Sequence, residues 1–175
     1  MATPFEVRRF RLDAADLLRQ IRLVSLQETP EAFATSVEQD RTKPAEWWQE
    51  WIANSAPFGI FVAGEPRGLA GFFPNSAANL AHRGTLGAMY VAPDLRGTGA
   101  AAALVHALLA HAATRVEQVH LSVNADNTRA VHFYRRMGFV EYGREPSGLR
   151  HAAIDHDVLL MVRMLDRRDS TDARK

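Results

Sequence analysis

Apolar residues recur along the chain at two different spacings, which together predict a mixed α/β protein. Short apolar or alternating runs are typical of strands, and the turn sequence GEPRG at 64–68 separates two of them. The predicted strands span residues 5–10, 58–63, 68–76, 85–91, 119–124, 139–142 and 155–164. A spacing of three or four residues predicts helices over 14–27, 45–56, 97–114 and 127–137.

Residue types at the predicted helix ends support these boundaries. Asp13 fits the N-cap of the first helix. The apolar face of that helix would consist of Leu17, Ile21 and Val24. Pro57 would end the second helix, and Gly138 the last one, because glycine tolerates the conformation found at helix C-termini. The polar, proline-bounded segment 28–44 is expected to form a loop or short helical pieces.

The order of the elements predicts a single domain. Two helices come near the front, strands fill the middle and two strand–helix units follow, which is typical of an α+β or three-layer α/β/α fold. With 175 residues and 47% hydrophobic content, the chain can bury one core. We expect the domain to span residues 1–165 and the charged segment 166–175 to be a mobile tail.

Charge and composition narrow the function classes. Lys+Arg number 21 and Asp+Glu 20, so a formal net charge of +1 gives no footprint for nucleic acid or an anionic membrane. The absence of cysteine excludes disulfides and thiolate sites, and the 7 histidines have no metal-binding spacing, so no metal is expected. No apolar run approaches the roughly 20 residues of a membrane span. The N-terminus lacks a signal peptide's apolar core, so we expect a cytoplasmic protein.

The junction between the strand at 85–91 and the helix at 97–114 contains Gly97 and Gly99. Glycines allow a tight turn and close approach to a ligand, because they have no side chain. A helix start presents N–H groups without partners and the positive end of the helix dipole, so this junction can hold a phosphate. The stripe behind it is typical of a helix packed on a sheet and consists of Ala101, Leu104, Val105, Leu108 and Leu109.

Two common phosphate-binding motifs fit this junction poorly. The Walker loop requires a Gly-Lys pair, and the chain has none. The dinucleotide pattern G-x-G-x-x-[GA] is matched by Gly97, Gly99 and Ala102. However, residues 92–96 separate it from its strand, and too little chain follows for that fold. An ordinary strand–helix turn is the remaining alternative.

A third pattern, R-x-x-G-x-[GA], is filled by Arg96, Gly99 and Ala101. It lies within MYVAPDLRGTGAAAALV, and the segment LSVNADNTRAVHFYRRMGF follows about 30 residues later. With these two segments in this order, the chain resembles the GCN5-related N-acetyltransferase (GNAT) family. Each segment alone is modestly specific, whereas the pair is a strong signal. The resemblance extends over most of residues 5–165.

The resemblance implies a three-layer domain with a mixed, strongly twisted sheet. Two central parallel strands would splay apart, here those at 85–91 and 118–123. Acetyl-CoA would lie in the gap, with its pantetheine arm along the first strand and its pyrophosphate on the glycine loop. The residues that this arrangement implies for acetyl-CoA are Met89, Tyr90, Val91, Arg96, Gly97, Thr98, Gly99, Ala100, Ala101, Ala102, Asn127 and Tyr134.

Two residues of the second segment match family positions with specific roles. Asn127 matches an asparagine that contacts the pantetheine, and it could also cap the following helix. Tyr134 matches a tyrosine that many members place beside the thioester sulfur. A phenol with its usual pKa of about 10 could protonate the leaving thiolate there. Since Tyr134 also lies on the apolar stripe of its helix, a structural role is the alternative.

The reaction implied by the family is direct attack of a primary amine on the thioester carbonyl. A lysine-like amine has a pKa of about 10.4, so it must first lose a proton. Some relatives use a glutamate on the strand before the loop, but TLGAMYV has no carboxylate. The candidates for this base are Glu28, Glu31, His82 and Asp157. A His156–Asp157 dyad is not expected, because neighbours on a strand point to opposite faces.

The segment between the first two helices borders the acceptor in the family. Glu28 and Glu31 could attract a cationic amine, and Phe33 could line its alkyl part. The tryptophan cluster could form an aromatic wall of the acceptor site, or it could simply cover the core. It consists of Trp47, Trp48 and Trp51. The sequence does not identify the acceptor, which could be a small-molecule amine or an amine of a peptide or protein. It also does not show whether acyl groups other than acetyl are used, or whether the protein is a monomer or a homodimer. The alternative function is a non-catalytic acyl-CoA-binding sensor or scaffold, which the missing strand carboxylate favours and Tyr134 opposes.

Overall fold

The computed structural model describes residues 4–165, which form one sheet covered by helices. The strands are β1 (Glu6–Arg9), β2 (Ala56–Val62), β3 (Glu65–Pro74), β4 (Arg83–Val91), β5 (Gln118–Asn124), β6 (Val140–His151) and β7 (Ile154–Met164). The α-helices are α1 (Ala15–Glu28), α2 (Val37–Arg41), α3 (Ala45–Asn54), α4 (Ala100–Ala112) and α5 (Thr128–Arg136). The predicted mobile tail at 166–175 lies outside the described residues.

The seven strands have the order β1-β2-β3-β4-β5-β7-β6. Among them β4 and β5 are parallel, and the other neighbouring pairs are antiparallel. On one face, α1 and α3 pack over side chains of β2 to β4 and bury Leu18, Trp48 and Ile52. On the other face, α4 and α5 pack over the larger core and bury Leu104 and Leu108 completely. The predicted mixed, three-layer sheet is therefore confirmed.

The central pair of parallel strands is joined over only a short length. The register between β4 and β5 runs from Arg83↔Gln118 to Thr85↔His120, and the rest of the two strands is not paired. A bulge follows in β4, because Ala88 has φ +53° and the register against β3 shifts between Leu69 and Gly71. The two strands therefore part after three pairs, as the splayed arrangement predicts.

The beginning of α1 differs from the prediction. Residues Leu12–Ala14 form a short 3-10 turn, so the helix starts at Ala15 and its N-cap is Ala14, which offers no side-chain acceptor. The predicted N-cap at Asp13 is wrong, because Asp13 lies inside this 3-10 turn and not at the position before the first residue of α1. Of the predicted apolar face, Ile21 is buried, whereas Leu17 and Val24 are only partly buried. The centre of the face is shifted toward Leu18, which is fully buried and was not predicted.

Other element boundaries also shift for local reasons. The third helix ends at Asn54, where the Ser55 hydroxyl donates to Trp51 O at 2.7 Å, and Pro57 lies inside β2 rather than ending the helix. The fourth helix starts at Ala100, not at 97, because the φ angles of Gly97 and Gly99 are positive. The strand predicted at 139–142 is the start of a strand that continues to His151.

Candidate active site

Two cavities meet where β4 and β5 separate. The α4–α5 cavity, of about 680 Å³, lies between β4, the start of α4 and the face of α5. The α1–α3 cavity, of about 990 Å³, lies between the segment from α1 to α3, β3, and the ends of β5 to β7. The residues that line both are Ala32, Phe33, Leu86, Gly87, Ala88, Ser122, Val123 and Asn124. A group placed between the strands can therefore be reached from both sides.

The loop between β4 and α4 is fixed by its own hydrogen bonds. Arg96 Nε donates to Val91 O at 2.8 Å, and the Thr98 hydroxyl donates to Leu95 O at 2.7 Å. Gly97 and Gly99 have φ angles of +82° and +92°, which L residues rarely adopt. Arg96 thus ties the loop to the end of β4, and the two glycines turn the chain into α4.

The first turn of α4 fits a phosphate group. The first bond of this helix runs from Ala103 N–H to Gly99 O at 3.0 Å, so the N–H groups of Ala101 and Ala102 precede the ladder and have no i−4 partner. A Cβ added to Gly97 or Gly99 would meet no atom within 4 Å, so the space beside both glycines is open. The exposed N–H groups, the helix dipole and this open space together suit an anion such as a pyrophosphate.

The other wall of the α4–α5 cavity is formed by α5. The Asn127 side chain accepts from Ala130 N–H at 3.1 Å, so it caps this helix while lining the cavity. Tyr134 is 7% exposed, and its ring packs edge-on to Phe133 and Phe139. Burial raises the pKa of the Tyr134 phenol above its usual value, so the hydroxyl keeps its proton at neutral pH. Tyr134 is therefore a protonated donor on the cavity wall.

A family model described as the acetyltransferase (GNAT) family matches residues 22–139, which include the loop between β4 and α4 and the helix α5. The chain belongs to this family. A mycothiol acetyltransferase of Propionibacterium freudenreichii subsp. shermanii is 33% identical over 134 residues, 74% of this chain and 41% of that protein. An uncharacterized N-acetyltransferase of Methanocaldococcus jannaschii is 32% identical over 107 residues, 58% of this chain and 47% of that protein. The chain thus spans less than half the length of these relatives.

Solved structures of the GNAT family share this fold. A GNAT acetyltransferase from Streptococcus pneumoniae has a TM-score of 0.79 at 20% identity, over 93% of this chain and 100% of that one. A Salmonella typhimurium protein solved with its cofactor acetyl-CoA has a TM-score of 0.78 at 17% identity, over 93% and 95% of the two chains. At these identities the likeness concerns the fold alone.

Most residues that the GNAT resemblance implies for acetyl-CoA lie along one cavity. Those lining the α4–α5 cavity are Met89, Tyr90, Val91, Arg96, Gly97, Gly99, Ala101, Ala102, Asn127 and Tyr134. Two predicted residues are not among them. Thr98 turns its hydroxyl to the loop backbone, and Ala100 is fully buried in the core. Their predicted place in the site rests on backbone groups only.

The residues predicted for the acceptor and the base are dispersed. Phe33 lines both cavities and Glu31 the α4–α5 cavity, whereas Glu28 lines neither. The Tyr90 hydroxyl donates to Glu28 Oε2 at 2.6 Å, and burial, then this carboxylate, raises the pKa of Tyr90. His82 also lies outside both cavities, and its carbonyl accepts from the chain at Glu117.

Adjacent residues His156 and Asp157 have different partners, as the strand geometry predicts. His156 Nδ1 lies 2.8 Å from Asp126 Oδ2, whereas Asp157 accepts from Arg144 Nε at 2.8 Å. Asp157 also accepts from the backbone N–H of Ser147, and these two bonds lower its pKa. Asp157 lines neither cavity, and both its carboxylate oxygens are engaged.

The three tryptophans divide between core and cavity. Trp48 is 1% exposed and belongs to the core, whereas Trp47 and Trp51 line the α1–α3 cavity. Trp51 stacks on Phe73, with ring centroids 6.0 Å apart. One wall of this cavity is therefore aromatic.

A buried ion pair supports the same wall. Arg22 Nε donates to Asp40 Oδ2 at 2.9 Å, and Arg22 Nη2 donates to the Thr35 hydroxyl at 2.8 Å. Burial lowers the pKa of Arg22, and the bond to Asp40 opposes this shift. The pair joins α1 to α2 and so fixes the segment that carries Phe33.

Sequence reasoning missed several polar residues in the two cavities. Arg129 and Arg136 line the α4–α5 cavity, and Glu50 and Glu145 line the α1–α3 cavity. The arginines had a local signal, since both stand on the predicted α5 helix seven residues apart. Glu145 had none, because it lies beyond the strand predicted at 139–142.

In residues 4–165 no helix is long and apolar enough to cross a membrane, and no group of three potential metal ligands occurs.

Proposed function

We propose that this chain is an acetyl-CoA-dependent N-acetyltransferase that acts on a primary amine. Membership of the GNAT family supports the reaction class. The observation that carries the proposal is the junction of the two cavities at the split between β4 and β5. Acetyl-CoA would enter from the α4–α5 side and the amine from the α1–α3 side, so that the two reactants meet between the strands.

Each part of the α4–α5 cavity has a role in this proposal. The N–H groups of Ala101 and Ala102 would hold the pyrophosphate, and the backbone from Met89 to Val91 would pair with the pantetheine. Asn127 would keep its capping bond while its remaining groups face the arm. Tyr134 would donate its proton to the sulfur that leaves, because its raised pKa keeps the phenol protonated until that step.

The acceptor would occupy the α1–α3 cavity. Phe33, Trp47, Trp51 and Phe73 offer an apolar wall, and carboxylates offer sites for a cation. The names of the relatives include acetyltransferases for mycothiol, so a small-molecule acceptor is one class to test. Peptide N-termini and lysine side chains are the others.

A thiol-release assay tests the proposal. The protein is mixed with acetyl-CoA and, in separate reactions, spermidine, tyramine, L-alaninamide and a peptide with an N-terminal alanine. Release of CoA with at least one amine supports the transferase. Binding of acetyl-CoA without release with any amine would instead support the non-catalytic sensor or scaffold.

A further inference from the structure

The proposed reaction lacks an assigned acceptor for the proton of the amine. Strand β4, from Arg83 to Val91, carries no carboxylate. In the part of the chain that the structure describes, the carboxylates lining the α1–α3 cavity are Asp40, Glu50 and Glu145. Asp40 is 3% exposed and is held by Arg22. Glu31 lines only the α4–α5 cavity, so on the acceptor side the choice is between Glu50 on α3 and Glu145 on β6.

The strand register directs Glu145 toward the gap. Glu145 pairs with Val158 of β7, and Val158 pairs with Asn124 of β5. Residues paired in a row across a sheet share one face, so the three side chains lie on the same side. Asn124 lines both cavities at the end of β5 that is not paired with β4. Two strand spacings, about 10 Å between Cα atoms, separate Glu145 from this residue.

The backbone around Glu145 is shaped by a bulge. The register between β6 and β7 shifts between Glu145 and Leu149, and Ser147 has φ +49°. Asp157 fastens both flanks of Glu145, because it accepts from Arg144 Nε at 2.8 Å and from Ser147 N–H at 3.0 Å. The bulge is thus tied to β7 on either side of this glutamate.

The side chain of Glu145 is also located by its neighbours. A Cβ added to Gly148 would lie 3.1 Å from Glu145 Cγ and 3.1 Å from Val158 Cβ. The glutamate stem therefore packs against the bulge at Gly148, where a larger residue would displace it. Within residues 4–165, the ion pairs of the structure do not include the Glu145 carboxylate. Glu145 is an exposed carboxylate that lines the cavity wall and forms no ion pair with a described cation.

We propose that Glu145 binds the ammonium group of the acceptor and takes its proton, directly or through one water molecule. The acceptor class is then a primary amine that arrives as a cation, and Asp157 is a positioning residue that holds the bulge. This inference rests on the proposed N-acetyltransferase function. It assigns the general base to a strand on the far side of the gap from β4.

The proton balance of the step is complete. Glu145 takes one proton from R–NH₃⁺, and the amine nitrogen then forms the bond to the thioester carbonyl carbon. The C–S bond breaks, and the electron pair leaves with sulfur, which Tyr134 protonates. After the attack the nitrogen carries one proton more than the amide product, and this proton passes to the Tyr134 phenolate and restores the phenol. The sum is R–NH₃⁺ + acetyl-CoA → N-acetyl-R + CoA + H⁺, where the final proton leaves Glu145 for solvent.

The test compares Glu145→Gln with two other glutamate variants. Glu141→Gln is a matched control on the same strand, because Glu141 pairs with Arg135 and lines neither cavity. Glu50→Gln tests the rival carboxylate. Each protein is assayed with spermidine, tyramine, L-alaninamide and the alanine peptide between pH 7 and 9.5. The acetyl-CoA-induced rise in the melting midpoint is measured in parallel.

We expect Glu145→Gln to lower kcat/KM for the best of these amines about 100- to 10,000-fold at pH 7, as for other general bases. The variant should regain about tenfold per pH unit, because the neutral fraction of the amine rises tenfold per unit below its pKa. The wild type should show a flatter pH profile. It binds the amine as a cation and Glu145 removes the proton in the complex, so the rate does not follow the neutral fraction of the amine in solution. Hydroxylamine, which is uncharged at neutral pH, should react at nearly the same rate with both proteins.

Asp157→Asn should lower kcat/KM only about 3- to 10-fold and leave the flat pH profile intact, because the base is still present. Two results would overturn the assignment of Glu145 as the base but not the proposed function. One is parallel pH profiles for Glu145→Gln and the wild type, and the other is a loss of kcat/KM in Glu50→Gln instead of Glu145→Gln. A wild type that binds acetyl-CoA but turns over no amine would overturn the proposed function and this inference together.

Discussion

Gly99 provides a direct test of the phosphate site, because a second glycine offers a matched control. Gly99 has φ +92° and Gly64, in the turn between β2 and β3, has φ +86°. A Cβ added at either position meets no protein atom within 4 Å. The two alanine variants, Gly99→Ala and Gly64→Ala, therefore impose the same backbone strain without a clash, and only the first projects a methyl group toward the proposed pyrophosphate.

The magnitudes separate strain from binding. A left-handed conformation costs a non-glycine residue about 1–2 kcal/mol, so each variant should melt about 2–8 °C lower without ligand. Acetyl-CoA at 100 times Kd should add about 2.7 kcal/mol, or about 5–11 °C, to the wild type. Loss of two charge-assisted N–H bonds, at about 1.5–3 kcal/mol each, weakens binding more than 100-fold. The same ligand concentration then adds at most about 0.4 kcal/mol, or at most about 1–2 °C.

The assay is thermal melting with and without acetyl-CoA, supported by calorimetric titration. Gly64→Ala should keep the full ligand shift, and Gly99→Ala should lose most of it. Dephospho-CoA should retain much of the wild-type shift, whereas NADH should give little. Equal ligand shifts in both alanine variants would refute the backbone-cradle interpretation, and stabilisation by NADH but not acetyl-CoA would favour a dinucleotide site.

Three further predictions concern other residues. Tyr134→Phe should lower turnover about 100- to 10,000-fold with little change in acetyl-CoA affinity, as measured by steady-state kinetics and titration; an unchanged chemical step would leave Tyr134 a core residue. Asp40→Asn should cost about 3–5 kcal/mol of unfolding free energy, because it leaves Arg22 buried without its counter-ion, and denaturant melts should show the double variant Arg22→Met/Asp40→Leu to be less harmed. Burial, then Arg115, lowers the pKa of His111 to about 4, so the unfolded chain binds a proton that the folded one does not. Stability should therefore fall between about pH 6.5 and 4, and His111→Leu should show a smaller fall in melting midpoint over this window.

The parts of the fold that the sequence predicts are those with strong local signals. Gly97 and Gly99 break the helical pattern before α4, and their positive φ angles follow from residue type alone. Asn127 and Gly138 bracket α5 for the same reason, since one caps its start and the other adopts φ +84° at its end. The strand–loop–helix unit that forms the phosphate site is therefore readable without tertiary information.

The parts that the sequence does not predict depend on distant contacts. Strand β6 is an edge strand exposed along most of its length, so it has no alternation of apolar and polar positions to mark it beyond Tyr142. Its bulges decide whether Glu145 faces the cavity. Gly143, Pro146 and Gly148 lie at these bulges, but such residues are equally typical of a turn and do not give the register against β7. Glu28 is the last residue of α1, one residue beyond the predicted helix. Its hydrogen-bond partner Tyr90 is 62 residues away along the chain, so this contact has no local sequence signal.

The short β4–β5 contact has a consequence for how the molecule opens. Three residue pairs join a four-stranded half-sheet, made of β1, β2, β3 and β4, to a three-stranded one, made of β5, β7 and β6. Beyond Thr85 the amides that point into the split have no lateral partner, so they should exchange with deuterium faster than those of the outer ladders. A ligand that contacts both β4 and β5 would restrict the motion of the two half-sheets relative to each other. Slowed exchange should then extend to amides of β5 that the ligand does not touch.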